Sequence, residues 1–435
     1  MSDRAEIKPP ASIALRLFGA FDRHNFGDLL FPHLMTALLP GPSFEFSGLA
    51  ERDLQAFGGH RVRALAAGGA TPPTHLIHAG GELLTCNAYQ AAVMLLDPAA
   101  AATAIARYDD DPAAASDWAT RQLGTSRSLP YVAGRDAVAS PGRLIFNAVG
   151  GVEWAFLSEM QRNEARAALG QADWISVRDH VTRDALRREG IDAPLCPDPA
   201  VMVAECFGET ILGHQQQGPV KAVREAWPQG YLACQFSADF ADDASLDALA
   251  QGLSRVAAGT GLGLVLFRAG TAPWHDDPGL LEKVQHRLLP GKGRLFHSLH
   301  LWDICALIAA SRGVLSSSLH GRIVALAYGL PRVGLRPPQL GPRPDKLAAF
   351  AETWEPDAVP RSVPASQIEP ALRQALALPA SLLQENAAQL RAHCRRSLAQ
   401  WAALVTGPPE YPAVIVAVNK LPAPVCARHA ENRAA

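Results

Sequence analysis

Residues 314–322 read VLSSSLHGR, and residues 323–331 continue as IVALAYGLP. An apolar run ends at three serines and a His-Gly pair, and an apolar helical pattern then runs to a glycine and a proline. This order predicts a strand, a tight turn and a helix. It puts His320 where a strand ends and a helix begins, which is where ligands bind in open α/β sheets. A helix amino end also favours anions such as phosphate or carboxylate.

Composition limits the class of protein. The chain has 435 residues, 48% hydrophobic and 19% charged, so we expect two domains of roughly 200 residues each. The formal net charge is −2 and no basic block occurs, which disfavours a nucleic-acid binder. The amino end is charged and lacks an apolar signal core, and no apolar run reaches the roughly 20 residues that span a bilayer.

The cysteines point to a reducing compartment. There are seven, they are scattered along the chain, and none forms a Cys-x-x-Cys pair. This pattern disfavours a disulfide framework and a zinc knuckle. We therefore expect reduced, mostly buried thiols in a cytoplasmic protein.

Strand–loop–helix units recur along the chain. Residues Ser12 to Phe18 predict the first strand, and Leu29 to Leu39 predict a helix with Asp28 as its N-cap. Apolar runs predict further strands at residues 75–81, 143–149, 173–179, 230–236, 262–267 and 332–335, and helical patterns occur at residues 181–190, 246–258, 301–309 and 382–405.

This alternation predicts parallel, doubly wound sheets. We expect two Rossmann-like α/β domains that face each other across a cleft, residues 1–214 and 223–406, joined by a linker at residues 215–222 and followed by a tail at residues 407–435. Strand ends from both domains would then flank the cleft, where a small-molecule site is expected.

The motif around His320 offers several groups for chemistry. His320 could act as a general acid or base, or hydrogen-bond a phosphate. Its place at a helix amino end favours neutral imidazole unless an anion lies beside it. Gly321 lets a ligand approach the backbone closely. The hydroxyls at 316–318 either contact the ligand or cap the helix.

Two further places carry candidate binding residues. Arg178, at the end of a strand, either binds a carboxylate or phosphate or pairs locally with Asp179 or Asp184. Asn25, Gly27 and Asp28 form either a substrate-binding loop or a helix cap. Asp198, between two prolines, is interpreted first as a turn or cap residue.

Other suggestive patterns have ordinary explanations. The glycine run at residues 259–263 lies between a helix and a strand, the wrong order for a dinucleotide loop. His75 and His78 are three apart on a strand and so point to opposite faces, which makes them poor joint metal ligands. His275-Asp276-Asp277 fits a metal or substrate site, and a polar loop explains it equally well.

Five short motifs together resemble the polysaccharide pyruvyltransferase family. In chain order they are Asn25-Phe26-Gly27-Asp28, Ala79-Gly80-Gly81, Ser176-Val177-Arg178-Asp179, Pro197-Asp198-Pro199 and Ser318-Leu319-His320-Gly321. The resemblance runs from about residue 13 to about residue 335. It implies a two-domain fold of the GT-B glycosyltransferase type. It also implies transfer of pyruvate from phosphoenolpyruvate to sugar hydroxyls as a ketal, with release of phosphate, during synthesis of surface or extracellular polysaccharide.

The resemblance also implies roles for individual residues. His320 would be catalytic, and no cofactor or metal would be needed. The resemblance also places Arg178 at the donor. Further candidates for binding the donor are Ser318, Gly321, Arg322 and Arg268, and candidates for binding the acceptor are Asn25, Gly27, Asp28, Gly80 and Gly81.

One position departs from the family pattern. Several members have an arginine where this chain has Ser318, so Arg322 or Arg268 would have to supply the second cation for phosphoenolpyruvate. The acceptor would be a glycan or a lipid-linked oligosaccharide, the latter met at the membrane surface. Two alternatives stay open: a glycosyltransferase of the same architecture that uses a sugar nucleotide, and a non-catalytic family member that binds glycan.

Overall fold

The computed structural model describes residues 14–41, 43–65, 74–341 and 343–406. Residues 12 and 13 of the predicted first strand, the predicted tail at residues 407–435, and Cys426 within it lie outside the described residues. The other six cysteines are free thiols. None of the described helices combines the length and the apolar character that a bilayer crossing needs.

The first sheet has the strand order β3-β4-β2-β1-β5-β6-β7. Its pairs are parallel except for β3, which runs antiparallel to β4 at the edge. The strands are β1 (Ala14–Phe18), β2 (Phe44–Gly48), β3 (Arg52–Asp53), β4 (Arg61–Ala64), β5 (Thr74–Ala79), β6 (Pro141–Val149) and β7 (Trp174–Val177).

The second sheet has the order β10-β9-β8-β11-β12-β13 and is parallel throughout the described residues. Its strands are β8 (Tyr231–Gln235), β9 (Gly263–Leu266), β10 (Gly293–Leu295), β11 (Gly313–Ser316), β12 (Arg332–Leu335) and β13 (Ser362–Val363). One sheet that is parallel except at its β3 edge and one parallel sheet, both doubly wound, confirm the predicted pair of Rossmann-like domains.

Helices connect the strands and cover the sheets. In chain order they are α1 (Phe26–Leu38), α2 (Ala88–Met94), α3 (Pro98–Tyr108), α4 (Pro112–Leu123), α5 (Glu159–Leu169), α6 (His180–Arg188), α7 (Val203–Gln216), α8 (Gly218–Ala226), α9 (Asp243–Thr260), α10 (Pro278–Arg287), α11 (Leu301–Ala309), α12 (Leu319–Ala327), α13 (Lys346–Trp354), α14 (Ile368–Leu376) and α15 (Ala380–Thr406). A short 3₁₀ helix at Pro199–Met202 precedes α7.

The first helix begins earlier than the sequence predicted. Asn25, in extended conformation at φ −140°, is the N-cap of α1, and its Oδ1 accepts a hydrogen bond from the Gly27 amide at 3.1 Å. Asp28 therefore lies in the first turn and is not the cap. There its negative charge still favours the positive end of the helix.

The strand order of each sheet reverses at one point. In the first sheet the chain leaves β1 toward β2 and later returns to pair β5 on the other side of β1. In the second sheet, β8 is flanked in the same way by β9 and β11. Ligands in open α/β sheets bind outside the carboxyl ends of the strands at such reversals. The loops after β1, β5, β8 and β11 are therefore the places to look for a site.

One continuous hydrophobic core joins the two domains. It contains Leu17 and Phe31 from the first domain, Ile323 from α12, and Trp401 from α15, all fully buried. The predicted linker at residues 215–222 is mostly helical, since α7 ends at Gln216 and α8 begins at Gly218. The sheets are thus joined by packed helices and not by a flexible coil.

Candidate functional site

A cleft with a volume of about 380 Å³ lies between the two domains. Its lining comes from the loops at both strand-order reversals and from the amino ends of α12 and α13. From the first domain it includes Arg23, Asn25, Asp28, Gly81, Glu82 and Arg178, and from the second Gln235, Trp274, Asp276, Ser317, Ser318, His320 and Lys346.

His320 is held in place by close packing. Ser318 is the N-cap of α12, and its hydroxyl accepts a hydrogen bond from the Gly321 amide at 3.4 Å. The imidazole lies edge-to-face with Phe31, with ring centroids 5.3 Å apart. It also packs against Gly27, where a Cβ atom would lie 2.0 Å from Cγ and Nδ1 of the ring. Gly27 is therefore required because of the histidine from the other domain.

Asp198 faces His320 across the domain boundary. Its Oδ2 lies 3.6 Å from Nε2 of His320, an ion-pair distance slightly beyond a hydrogen bond. The carboxylate is completely buried. Burial alone would raise the pKa of Asp198, but the neighbouring His320 and Arg178 outweigh it and hold that pKa below the usual value. Asp198 thus places a negative charge of the protein itself beside His320.

Arg178 connects Asp198 to a second carboxylate. Its Nη1 donates to Oδ2 of Asp198 at 3.1 Å, and its Nη2 donates to Oε2 of Glu82 at 2.7 Å. The sequence left open a local ion pair of Arg178 with Asp179 or Asp184, but neither residue is hydrogen-bonded to the guanidinium. The guanidinium is buried between the two carboxylates and also lines the cleft. The positive charge of Arg178 is therefore balanced before any ligand binds.

The backbone of Arg178 is held from the other domain. The indole Nε1 of Trp354, at the end of α13, donates to the carbonyl of Arg178 at 2.6 Å. The amide of His180, two residues further on, donates to the hydroxyl of Thr353 at 3.0 Å. Contacts across the domain boundary therefore form the Asp198–His320 pair and also fix the position of the strand end that carries Arg178.

Two other cations face the cleft. Arg23, in the loop after β1, donates from Nη1 to the hydroxyl of Tyr131 at 2.8 Å, and that hydroxyl donates to Oδ1 of Asp22 at 2.9 Å. Lys346 is the first residue of α13 and its side chain is exposed. Neither residue was proposed from the sequence. The available signal for Arg23 was its position, since it lies two residues before Asn25 in the loop where the strand order reverses.

The serines after β11 belong to a polar network. Oε1 of Gln235 accepts hydrogen bonds from the Ser316 hydroxyl at 2.7 Å and the Ser318 amide at 2.9 Å. Nε2 of Gln235 donates to Oδ1 of Asp276 at 2.7 Å. Burial raises the pKa of Asp276 to about 7, because hydrogen bonds to its carboxylate offset the desolvation only in part. Asp276 thus gains or loses its proton near neutral pH while facing the cleft.

The structure does not place Arg322 in the cleft. The side chain is completely buried, and Nε and Nη2 donate to the two carboxylate oxygens of Glu355 at 2.6 and 2.9 Å. Arg332 donates to the same carboxylate at 2.8 Å. Nη1 and Nη2 of Arg322 also donate to the carbonyls of Arg361 and Pro360, both at 2.9 Å, so the segment after α13 holds the guanidinium. The expectation that Arg322 supplies a donor cation is corrected accordingly.

Arg268 is half-buried in the loop after β9 and is not among the cleft-lining residues either. Of the glycines, Gly81 lines the cleft, whereas Gly80 packs against Phe31, where a Cβ atom would lie 2.3 Å from Cε1. Gly321 likewise packs inward, with a Cβ atom 2.5 Å from the Ser316 hydroxyl. Gly80 and Gly321 therefore serve close packing, and the structure gives no ligand-facing role to Arg268.

An aromatic pair connects the two domains beside the cleft, and one of its members, Trp274, lines it. Trp274, from the loop between β9 and α10, is 40% exposed, and its ring centroid lies 6.0 Å from that of Tyr89 in the first domain. Its backbone adopts φ 64°, a left-handed conformation that is strained for a bulky residue. Such strain is concentrated at ligand-binding sites. Trp274 had no distinguishing pattern in the sequence.

The fold and the site define a two-domain Rossmann-like protein with a polar interdomain cleft that is lined by cations and by His320, with the buried Asp198 behind the histidine. A model of the polysaccharide pyruvyl transferase family matches residues 25–337, well over half of the chain. The chain therefore belongs to the polysaccharide pyruvyl transferase family, which is a family of transferases. No curated protein matches the chain.

Among solved structures, the chain is similar to UDP-N-acetylglucosamine 2-epimerases. The Neisseria meningitidis enzyme, bound to UDP-GlcNAc, is 12% identical with a TM-score of 0.47, and the match covers 89% of this chain and 99% of that chain. The Methanocaldococcus jannaschii enzyme, in complex with UDP-GlcNAc and UDP, is 10% identical with a TM-score of 0.45, covering 89% and 99%. At these values the likeness gives no information about ligands.

Proposed function

We propose that this protein transfers pyruvate from phosphoenolpyruvate to two hydroxyls of one sugar, forming a ketal and releasing phosphate. The acceptor is a glycan or a lipid-linked oligosaccharide in surface polysaccharide synthesis, and the reaction takes place in the cytoplasm. The observation that carries the proposal is the His320–Asp198 pair, which the two domains assemble at a cleft lined by cations. Family membership supports the same class of reaction.

The donor requires positive charge, because phosphoenolpyruvate carries a carboxylate and a phosphate close together. Arg23 and Lys346 are the cations that we assign to it, since Arg178 is already paired with two carboxylates. The hydroxyls of Ser317 and Ser318 and the amino end of α12 add donors for the anion. Arg23 and Lys346 would thus provide the positive charge that an arginine at position 318 supplies in several family members.

His320 is the acid in the proposed reaction. Imidazolium at His320 donates a proton to the methylene carbon of the donor, which leaves positive character on the adjacent carbon. A sugar hydroxyl attacks that carbon and returns its proton to His320. The second hydroxyl then attacks the same carbon and gives its proton to the departing phosphate. The phosphate leaves with the electrons of its carbon–oxygen bond, and the ketal closes. Proton transfer by a positioned group of this kind contributes about 10²–10⁴-fold.

Asp198 is assigned as the residue that positions His320. Its buried carboxylate lies 3.6 Å from Nε2 of His320 and fixes the orientation of the imidazole ring. Arg178 fixes that carboxylate from behind, and the amide of Ala200 donates to its Oδ1 at 3.0 Å. Arg178 therefore acts through Asp198 in this proposal, and its predicted direct contact with the donor is not needed.

The acceptor is assigned to the first-domain side of the cleft and its mouth. Asn25 and Asp28 offer amide and carboxylate oxygens for sugar hydroxyls, and the backbone of Gly81 lies beside them. Trp274 offers an apolar face on which a sugar ring can lie. The proposed reaction uses no cofactor and no metal in the cleft.

The direct test follows phosphate release from phosphoenolpyruvate in the presence of a panel of acceptor glycans, with the ketal detected by NMR of the product. Arg23→Gln should raise the KM for phosphoenolpyruvate at least tenfold. Arg52→Gln is the matched control, since Arg52 is exposed on the same domain and outside the cleft lining. If no glycan supports phosphate release while a sugar nucleotide raises the melting temperature, the chain is a glycosyltransferase and the proposal is wrong.

A further inference from the structure

A second group of side chains with metal-binding chemistry lies outside the cleft lining, between α7 and α11. His214 is in the last turn of α7, His300 is the N-cap of α11, and Asp303 is in the first turn of α11. One nitrogen or oxygen atom from each residue lies within 4.8 Å of the other two. All three side chains are half-buried, so an ion could reach them from solvent.

The carboxylate of this group is already oriented. Oδ2 of Asp303 accepts a hydrogen bond from the Ser298 hydroxyl at 2.6 Å, while Oδ1 lies 2.6 Å from Nδ1 of His214. The rings of His214 and His300 stack with centroids 5.3 Å apart and planes 17° apart. Hydrogen bonds that fix a ligating carboxylate in this way raise metal affinity, and their loss typically costs 10–100-fold.

One atom of the group lacks a partner. Nδ1 of His300 is buried and makes no hydrogen bond among the described residues. The other ring nitrogen faces the backbone of Gly58, where a Cβ atom would lie 3.1 Å from it. A buried polar atom without a partner is unusual, and a bound ion or water is one of the few explanations. Nδ1 of His300 is therefore the atom that most needs a ligand.

We propose that His214, His300 and Asp303 bind a divalent transition metal ion of the zinc class. Two imidazole nitrogens and one carboxylate oxygen are ligands that zinc prefers, and a water molecule would complete four-fold coordination. The ion replaces the proton shared by His214 and Asp303, and small side-chain rotations bring each ligand atom to about 2.0–2.2 Å from it.

The ion would tie α7 to α11 close to the cleft loops. The carbonyl of Leu299, directly before His300, lies 2.8 Å from Nε2 of His24. His24 in turn precedes Asn25, the N-cap of α1 and a cleft-lining residue. The metal would therefore stabilise the segment of the second domain against which the loop after β1 rests.

The test is a titration of the full, tag-free chain with zinc chloride after treatment with a chelator, followed by calorimetry. We expect one zinc ion per chain. His300→Gln, His214→Gln and Asp303→Asn should each weaken binding at least tenfold. His297→Gln should leave it unchanged, because His297 is exposed on the same segment and outside the group. Cobalt chloride should give intense visible absorption bands, and magnesium chloride should not bind.

The inference is wrong if the wild type binds zinc no more tightly than His300→Gln, or if His297→Gln loses affinity as much as His300→Gln does. Far-UV circular dichroism checks that each variant is folded, and Asp303→Asn and His214→Gln decide the result if His300→Gln does not fold. Zinc affinity is measured without any transferase substrate. The outcome is therefore independent of the proposed reaction.

Discussion

The imidazole of His320 and the carboxylate of Asp198 meet 3.6 Å apart although they come from different domains. Both side chains are buried, and Arg178 holds the carboxylate from the opposite side. Because the pair exists only when the domains are packed together, the chemistry that we assign to His320 depends on the whole chain. Four predictions about the cleft test this arrangement and its surroundings.

Asp198→Asn should lower kcat about 100-fold while changing the KM for phosphoenolpyruvate much less. The substitution keeps the size of the side chain but removes the carboxylate charge that faces the proposed acid, His320. Steady-state assays of phosphate release measure both constants. Asp192→Asn, at an exposed position six residues earlier, should behave as the wild type. An unchanged kcat in Asp198→Asn would remove Asp198 from the proposed mechanism.

Gly27→Ala should reduce kcat about 100-fold in a protein that still folds. The new methyl group would lie 2.0 Å from Cγ and Nδ1 of His320 and so must displace the ring. A misplacement of about 1 Å at a catalytic group costs about that factor. Gly208→Ala is the control, since outside the neighbouring backbone of its own helix no atom lies within 4 Å of the Cβ position there. Equal activity of the two variants would show that the position of the ring is unimportant.

Trp274→Ala should raise the KM for the acceptor about two- to tenfold and leave the KM for phosphoenolpyruvate unchanged. That range corresponds to the roughly 0.5–1.5 kcal/mol of an aromatic contact. Trp274→Phe should restore most of the acceptor affinity. Leu289→Ala serves as the control because Leu289 is 44% exposed and lies outside the cleft lining. A change confined to the KM for phosphoenolpyruvate would mean that Trp274 contacts the donor, and its assignment to the acceptor would be wrong.

Asp276 should make the folded state less stable as pH rises from about 4 to 7. Its pKa is about 7 in the folded protein against 3.8 ordinarily, so in this window the folded chain holds a proton that the unfolded chain has released. The free energy of unfolding then falls with pH, by at most about 1.4 kcal/mol per pH unit for one proton.

Urea unfolding at several pH values measures this slope, and the difference between the wild type and Asp276→Asn isolates it from other titrating groups. The decrease with pH should be smaller in Asp276→Asn. Asp192→Asn should keep the wild-type slope. Identical slopes in the wild type and Asp276→Asn would mean that Asp276 is already ionised at pH 5.

Some of the regular elements could be predicted from the sequence because their signals are local, whereas the short strands β2, β3, β4, β10 and β13 were not predicted. Apolar periodicity between glycines and prolines located α11 and β12 at their observed bounds and β8, β9 and β11 within a few residues. The same signal placed His320 between β11 and α12. Asn25 was recognised as a cap or binding residue, but the start of α1 was set three residues too late because Asn25 and Asp28 are both good caps.

The partners of charged side chains could not be predicted in this way. Glu82 pairs with Arg178 across 96 positions of sequence, and only the order of strands in the sheet brings them together. Asp198 was interpreted as a cap, which it is for the 3₁₀ helix at Pro199–Met202, and its contact with His320 left no local trace. Arg322 did carry a signal: a charged residue in a helix that is apolar on every face indicates an internal ion pair.

The hydrogen bond from Trp354 to the carbonyl of Arg178 limits how this protein can be engineered. A chimaera that joins the first half of this chain to the second half of another family member keeps Arg178 but replaces the residue that anchors its backbone. Asp198 and His320 would be separated by the same exchange. Changes of acceptor specificity should therefore be made by grafting individual loops beside the cleft, because the two halves of the chain cannot be exchanged independently.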